Sequence, residues 1–455
     1  MNIYFIGIGG IGMSALAGIS LKNGHKISGS DSQKTPITDE LKKMGAKIYI
    51  GQKKENIPQK TDLVVYTTAI KNNNPELIEA KRRKIKTVER ANYLGELTSR
   101  KKGIAVSGTH GKTTISSMVS VILRNSGLDP SVALGGIAPE LNNKNWRSGK
   151  GEYMVVEACE YKKAFLKLSP FISVISNIEE EHMDYFKNKK NIQETFASFL
   201  RATSKSGFSV VGLNNINTQK ILARDDFNFP IYTYGNEGVG AEWEIRNAQE
   251  EKGTVKFDVY KHNQKVENFE ITIPGTHNAF NALATIIVTA ELGVNLKTIK
   301  ESLKNFKGTK RRSEKLGEKQ GVLVIDDYAH HPTEIKATLT ALRNFYSNRK
   351  KIWCVFQPHQ YSRTRILFND FVDSFEVPDK VIIPDIYRVR DSEKDIKAIN
   401  SEMMVNSLKK KGIDAYYIPT FEKIASFLKK NTKKGDLIVT MGAGPVDRVG
   451  ELFLK

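Results

Sequence analysis

Two cysteines in 455 residues, Cys159 and Cys354, are too few and too far apart for a disulfide framework or a metal knuckle, so a reducing, cytoplasmic setting is expected. No apolar run approaches the ~18 residues that a membrane-spanning helix needs. The chain opens directly on a strand pattern at 3–6 and lacks the charged leader and apolar stretch of a signal peptide, so a soluble, non-exported protein is expected. Acidic residues are in deficit, 50 against 70 Lys and Arg, for a net charge of +20. That surplus admits either a nucleic acid or an acidic small molecule as partner. The basic residues fall in short runs along the whole chain (100–102, 409–411, 429–434), with no basic tail and no aromatic-interleaved patch. A solvated Lys-rich surface explains them, and neither a nucleic-acid nor a membrane partner is expected. With 40% hydrophobic and 26% charged residues, the composition excludes disorder and allows two to four domains.

The hydrophobic rhythm has three stretches. Residues 1–98 alternate apolar strands (3–6, 26–28, 63–66) with amphipathic helices (13–22, 38–44, 75–84), a βαβ pattern that calls for a parallel sheet. The rhythm restarts after the basic linker 100–102, with strands at 103–107, 154–157, 172–176 and 209–212. Short alternating segments at 244–246, 255–259 and 270–273 then read as a small antiparallel insertion, before helices at 278–292 and 296–306. A basic, flexible stretch at 308–315 precedes a third series with strands at 322–325, 352–356, 380–384, 415–418 and 437–441. The expected fold class is α/β. Three domains, 1–99, 100–312 and 313–455, each carry a mostly parallel sheet, and the central one has a phosphate loop and the antiparallel insertion.

The phosphate loop is Gly108-Thr109-His110-Gly111-Lys112-Thr113-Thr114, set between a strand and a helix. Glycines let the backbone curl so that N–H groups face phosphate oxygens, and the helix N-terminus adds partial positive charge. Lys112 would reach the β/γ-phosphates of ATP, and the Thr113 hydroxyl would hold Mg²⁺. The general pattern has four residues between its glycines. Here only Thr109 and His110 intervene, so the loop is a short variant.

Other constellations lie at strand ends. Gly7-Ile8-Gly9-Gly10-Ile11-Gly12 follows the first strand, and Asp31 ends the second, where a ribose-binding acid belongs. This fingerprint alone also fits a nicotinamide-dependent dehydrogenase, and a nucleotide-diphosphate sugar serves it equally well. Glu157 ends a strand beside the phosphate loop, the place of a second Mg²⁺ ligand. His182 is open to three readings: metal ligand, phosphate contact or satisfied loop histidine. Asn278 and Asn281 sit one helical turn apart, which suits the edge of adenine, although N-capping explains Asn278 equally well. In the third series Asp326-Asp327-Tyr328-Ala329-His330-His331-Pro332 and Gln357-Pro358-His359-Gln360-Tyr361-Ser362-Arg363 end adjacent strands, and Arg363 suits a carboxylate or phosphate.

Together these residues resemble the Mur ligase family, the ATP-dependent amino-acid ligases of peptidoglycan precursor assembly, over essentially the whole chain. His110 within the loop, the 7–14 segment ending Gly12-Met13-Ser14, and Asp326-Asp327-Tyr328 before His330-His331-Pro332 point to the branch that joins L-alanine to UDP-N-acetylmuramate. A related branch attaches recycled murein peptide to the same UDP-sugar. The resemblance implies that Gly9, Gly10, Ile11 and Gly12, with Asp31, Thr67, Thr68 and Ala69, contact the UDP moiety. It implies that Gly108, Thr109, His110, Gly111, Lys112, Thr113 and Thr114 cradle ATP, with Mg²⁺ on Thr113, Glu157 and His182. Asn278 and Asn281 would read adenine, Arg312 would approach the phosphates, and His330, His359 and Arg363 would line the alanine side. Lys112, His182, His330 and Arg363 would be the catalytic set, in a monomer or homodimer. Flexible joints near 99 and 312 would let the domains close. Three positions depart from the family pattern: Gln360 stands where Arg is expected, Glu181 where Asp is, and Pro445 follows Gly442-Ala443-Gly444 in place of Asp.

Overall fold

The computed structural model describes residues 1–455 apart from 180–182, 225–226, 252 and 390. By compactness the chain divides into two units, one of residues 1–247, 257–269 and 280–306, the other of residues 248–256, 270–279 and 307–455. Among the described residues the strands form three sheets, and the fold is α/β.

The N-terminal sheet holds β1 (Asn2–Ile6), β2 (Lys26–Asp31), β3 (Lys47–Ile50), β4 (Leu63–Tyr66) and β5 (Lys86–Glu89) in the order β3-β2-β1-β4-β5, with every pair parallel. Strand order reverses at β1, so the loops after β1, β2 and β4 open at a topological switch point, where such sheets bind ligands. The helix Ile11–Lys22 starts directly after β1, and its residues 13–20 are all buried. One charged side chain, on the helix Pro75–Arg82, is buried against this sheet. Glu76, fully buried, accepts from Tyr4 Oη (2.9 Å), Ser30 Oγ (2.5 Å) and Asn56 Nδ2 (2.8 Å), which supplies the hydrogen bonds that a buried carboxylate requires.

The second sheet has ten strands: β6 (Lys102–Ser107), β7 (Ser131–Ala138), β8 (Lys144–Arg147), β9 (Tyr153–Glu157), β10 (Ile172–Ile175), β11 (Phe208–Gly212), β12 (Ile231–Asn236), β13 (Trp243–Glu251), β14 (Thr254–Lys261) and β15 (Gln264–Ile271). Their order is β15-β14-β13-β12-β11-β10-β6-β9-β7-β8. The expected insertion is therefore a continuation of the main sheet: β13 pairs in parallel with β12, and the tight connection between β14 and β15 permits only antiparallel neighbours. Its last strand runs earlier and longer than the 270–273 read from sequence, because alternation at its polar start is weak. The β7–β8 pair is antiparallel.

The third sheet comprises β16 (Glu314–Lys319), β17 (Val322–Asp327), β18 (Ile352–Phe356), β19 (Lys380–Ile383), β20 (Ala415–Tyr417) and β21 (Leu437–Met441), ordered β16-β17-β21-β18-β19-β20. Only β16 is antiparallel to its neighbour.

Two expected joints look different in the structure. Around residue 99 the N-terminal and central sheets share one hydrophobic core, in which Phe5, Met13 and Leu16 cluster with Trp146, Val156 and Phe165. Apolar burial on both sides of the linker replaces a loose hinge. The stretch 308–315 is anchored as well: Arg311 pairs with the fully buried Asp326 (2.9 Å), the Ser313 amide donates to Asp327 (2.7 Å), and residues from 314 onward form β16.

Candidate active site

In the first unit the phosphate loop connects β6 to the helix Lys112–Asn125. Gly108 and Gly111 have φ of +133° and +85°, and a Cβ at Gly111 would lie 2.4 Å from Asn281 Oδ1, so both need glycine. Lys112 Nζ folds back over the loop to Gly108 O (2.5 Å) and Thr109 O (3.0 Å) and pairs with the buried Glu160 (3.2 Å). The Thr113 hydroxyl donates to Glu157 (2.7 Å), whose carboxylate also accepts the Gly135 amide (3.0 Å). These are hard oxygen donors of the kind Mg²⁺ takes when phosphate oxygens complete its shell. Among the described residues no cluster of three or more His, Cys, Asp or Glu forms a metal site without such a partner. His182 lies outside the described residues.

The loop is held from the end of β10. Asn177 Oδ1 accepts the His110 amide (3.0 Å), Thr109 Oγ1 accepts the Glu179 amide (2.8 Å), and Glu179 reaches His110 Nε2 (3.2 Å). Asn177, Glu179 and Glu160 are functional neighbours that the sequence does not single out, because their partners lie far away along the chain. Asn281 lies against Gly111, while Asn278 donates to Pro274 O (2.6 Å). The two amides thus engage different partners. The helix begins at His277, so Asn278 is not its N-cap.

At the N-terminal sheet, Asp31 accepts the Gly9 amide (2.8 Å), and the Thr67 methyl lies 3.4 Å from where a Cβ on Gly7 would sit. Ala69 N donates to Thr67 Oγ1 (3.3 Å), which folds 67–69 into a turn beside the glycine loop. Gly10 caps the Ile11–Lys22 helix with no side-chain bond and gives its own amide to Gly7 O (3.2 Å), so the Ile11 and Gly12 amides are the first-turn donors that an anion cradle at this helix start would use. The Arg90 guanidinium lies about 3.0 Å from where a Cβ on Gly12 would sit, a cation at that cradle that sequence reading missed because β5, which delivers it, carries little alternation. Thr68 is exposed on the same turn.

The second unit brings together His330, His359 and Arg363. The two imidazoles are 6.3 Å apart, and Arg363 bears electrostatically on both. Burial pulls each histidine down to about 4, aided by the Arg363 charge, so both are neutral near pH 7. His330 Nδ1 is 3.1 Å from Tyr328 O, and a carbonyl only accepts, so the proton sits on Nδ1 and Nε2 is the acceptor. Tyr387 stacks on His359 at 5.5 Å, a contact no sequence signal announced. Arg312 lies over the Tyr328 ring (5.5 Å) beside Asp327, whose carboxyl burial pushes up. Gln360, at φ +72°, caps the short helix Tyr361–Ile366, and its amide donates to Tyr387 O (2.9 Å). Also within this unit, a cavity of about 900 Å³ is lined by Gly275, Thr276, His277, His331, Pro332 and Lys336, among others.

Residues 2–102 match the Mur ligase family, catalytic domain; residues 106–289 the Mur ligase middle domain; and residues 311–444 the Mur ligase, glutamate ligase domain. The chain belongs to the Mur ligase family. This Mur ligase is 47% identical over its whole length, and over 98% of the relative, to the UDP-N-acetylmuramate–L-alanine ligase of Clostridium tetani. It is 45% identical to the enzyme of the same name from Acetivibrio thermocellus, covering 96% of that chain. Among solved structures it is similar to the UDP-N-acetylmuramate–alanine ligase of Thermotoga maritima, with a TM-score of 0.86 at 28% identity, covering all of this chain and 98% of that one. A murein peptide ligase from Psychrobacter arcticus shares the fold, with a TM-score of 0.71 at 24% identity over the full chain and 98% of the other.

Proposed function

We propose that this Mur ligase joins L-alanine to the carboxylate of UDP-N-acetylmuramate at the expense of ATP, in the cytoplasmic synthesis of peptidoglycan precursors. The observation that carries this reading is full-length identity of 45–47% to relatives bearing that name. No helix among the described residues is long and apolar enough to cross a membrane, in keeping with a cytoplasmic enzyme. Residues 1–99 would hold the UDP-sugar, 100–312 ATP, and 313–455 the amino acid, in a monomer or homodimer.

The reaction has two balanced steps. A carboxylate oxygen of the sugar attacks the γ-phosphorus of ATP, ADP leaves, and an acyl phosphate forms. The alanine amine then attacks the acyl carbon, the C–O bond to phosphate breaks, and the amine gives up a proton. Lys112 and the 108–114 amides would stabilise the transferring phosphoryl, since charge handling dominates such chemistry. Mg²⁺ on Thr113 and Glu157, with His182 as a further ligand, would neutralise phosphate charge. Gly9, Gly10, Ile11, Gly12, Asp31 and the 67–69 turn would hold the UDP moiety, with Arg90 on its diphosphate. Asn278 and Asn281 would read the adenine of ATP, and Arg312 would approach its phosphates. On the acceptor side, Arg363 would bind the alanine carboxylate, neutral His330 would accept the amine proton at Nε2, and His359 would wall the pocket.

The choice of acceptor is tested by supplying UDP-N-acetylmuramate and ATP with either L-alanine or a murein tripeptide and weighing the product. Alanyl product is expected. Product with the tripeptide alone would replace this reading with the peptide-recycling one.

A further inference from the structure

The β7–β8 pair touches both phosphate-binding loops of the first unit. On one side, β7 approaches the ATP-loop residues: the Gly135 amide donates to Glu157, itself bonded to Thr113, and a Cβ on Gly136 would lie 2.9 Å from the Thr113 methyl. On the other side, β8 packs on the helix Ile11–Lys22. Trp146 fills the space above Gly18 so closely that a Cβ there would meet the indole at 2.1 Å, and Ser148 Oγ donates to Asn23 (3.0 Å).

Asn145 joins the two sides. Asn145 is 5% exposed, and its Nδ2 donates to Ile11 O at 2.5 Å, with a longer contact to Leu134 O at 3.5 Å. An amide nitrogen has two hydrogens, one for each carbonyl. Leu134 C=O and Gly135 N–H belong to a single peptide unit. One planar group therefore gives its N–H to the Glu157 carboxylate and turns its oxygen toward the side chain that holds Ile11, at the start of the glycine-loop helix. The peptide is rigid about its C–N bond, so a shift of its N–H moves its carbonyl.

We propose that Asn145 is a positioning residue that couples occupancy of the ATP loop to the geometry of the UDP-sugar loop. This rests on the functional reading above. Loading Mg·ATP re-engages Thr113 and Glu157, the Gly135 amide follows its carboxylate, and Asn145 carries the displacement to Ile11 O. The helix N-terminus that faces the sugar nucleotide's diphosphate is thereby set for the first chemical step only when the phosphoryl donor is present.

The test is equilibrium binding of UDP-N-acetylmuramate to the full-length protein with and without a non-hydrolysable Mg·ATP analogue. Wild type should bind the sugar nucleotide at least about fivefold more tightly with the analogue, the lower end of typical coupling. In Asn145→Ala, and in Asn145→Asp, which is isosteric but offers no N–H, that ratio should fall to within about twofold of one while binary affinity for the analogue stays at the wild-type level. Ser148→Ala removes another contact, just past the ends of β8 and of this helix, and should keep the wild-type ratio. A wild-type ratio of one, or variants that retain it, overturns the proposal, and the wild-type ratio decides alone should neither variant fold. Absence of any UDP-N-acetylmuramate binding to wild type would instead refute the functional reading.

Discussion

Replacing Lys112 with alanine separates what this residue does for catalysis from what it does for the fold. Its ammonium is mostly buried, with 15% of the side chain exposed, and pairs at 3.2 Å with Glu160, whose side chain is 5% exposed. Truncating it removes this ion pair, a loss of about 3–5 kcal/mol for a pair buried this deeply. The double variant Lys112→Ala/Glu160→Gln also neutralises the buried carboxylate and should recover most of that stability. Activity should not return with it. If Lys112 holds the transferring phosphoryl, turnover should fall by on the order of a thousandfold in both variants, about 4 kcal/mol of barrier. Urea unfolding of the single and double variants reads the first quantity. Phosphate release at saturating substrates reads the second, and binding of UDP-N-acetylmuramate, which would use different loops, should survive. Recovery of turnover along with stability in the double variant would refute the assignment of Lys112 to the phosphoryl group.

Other consequences are equally concrete. His330 is held down to about 4, below its ordinary 6.5, so its contribution to stability is fully present above pH 6.5 and is lost as pH falls through 4, to the extent of about 3 kcal/mol. An NMR titration of its imidazole should give an apparent value near 4, and a value near 6.5 would contradict the buried, neutral imidazole. Thr113→Ala and Glu157→Gln should each raise the Mg²⁺ needed for half-maximal turnover by on the order of tenfold without weakening UDP-N-acetylmuramate binding; an unchanged Mg²⁺ requirement would remove them from the metal site. Gly18→Ala forces a methyl into Trp146 and should destabilise the first unit by about 1–3 kcal/mol in chemical unfolding, whereas a neutral effect would mean that the Trp146 packing is looser than the structure has it.

The α/β class was legible because buried parallel strands such as β6, β10 and β21 are short apolar runs with turn residues at both ends. Strands that escaped notice, β3 and β5 in the first sheet and β16 in the third, are short or half-exposed and carry Lys or Glu at one or both ends, so local pattern does not separate them from loop. The β7–β8 pair escaped for another reason: its two glycines and the polar β8 read as irregular backbone, and only the Trp146 and Asn145 contacts show what they do. Residues with intrinsic chemistry, Lys112, Glu157, His330 and Arg363, announced themselves by type and place. Those that act by reaching across the chain did not. Asn177 steadies a loop 67 residues away and Glu76 bonds Tyr4 from 72 residues away, separations at which sequence pattern carries no contact information.

Sustained phosphate release requires both partners of the new amide bond, because the acyl phosphate formed from ATP in the first step gives up its phosphate only when the amine attacks. Followed continuously with purified full-length protein and Mg·ATP, phosphate should be released only when UDP-N-acetylmuramate and L-alanine are added together, with one phosphate for each alanyl product. Release that ignores either substrate, or product that forms without ATP consumption, would contradict it.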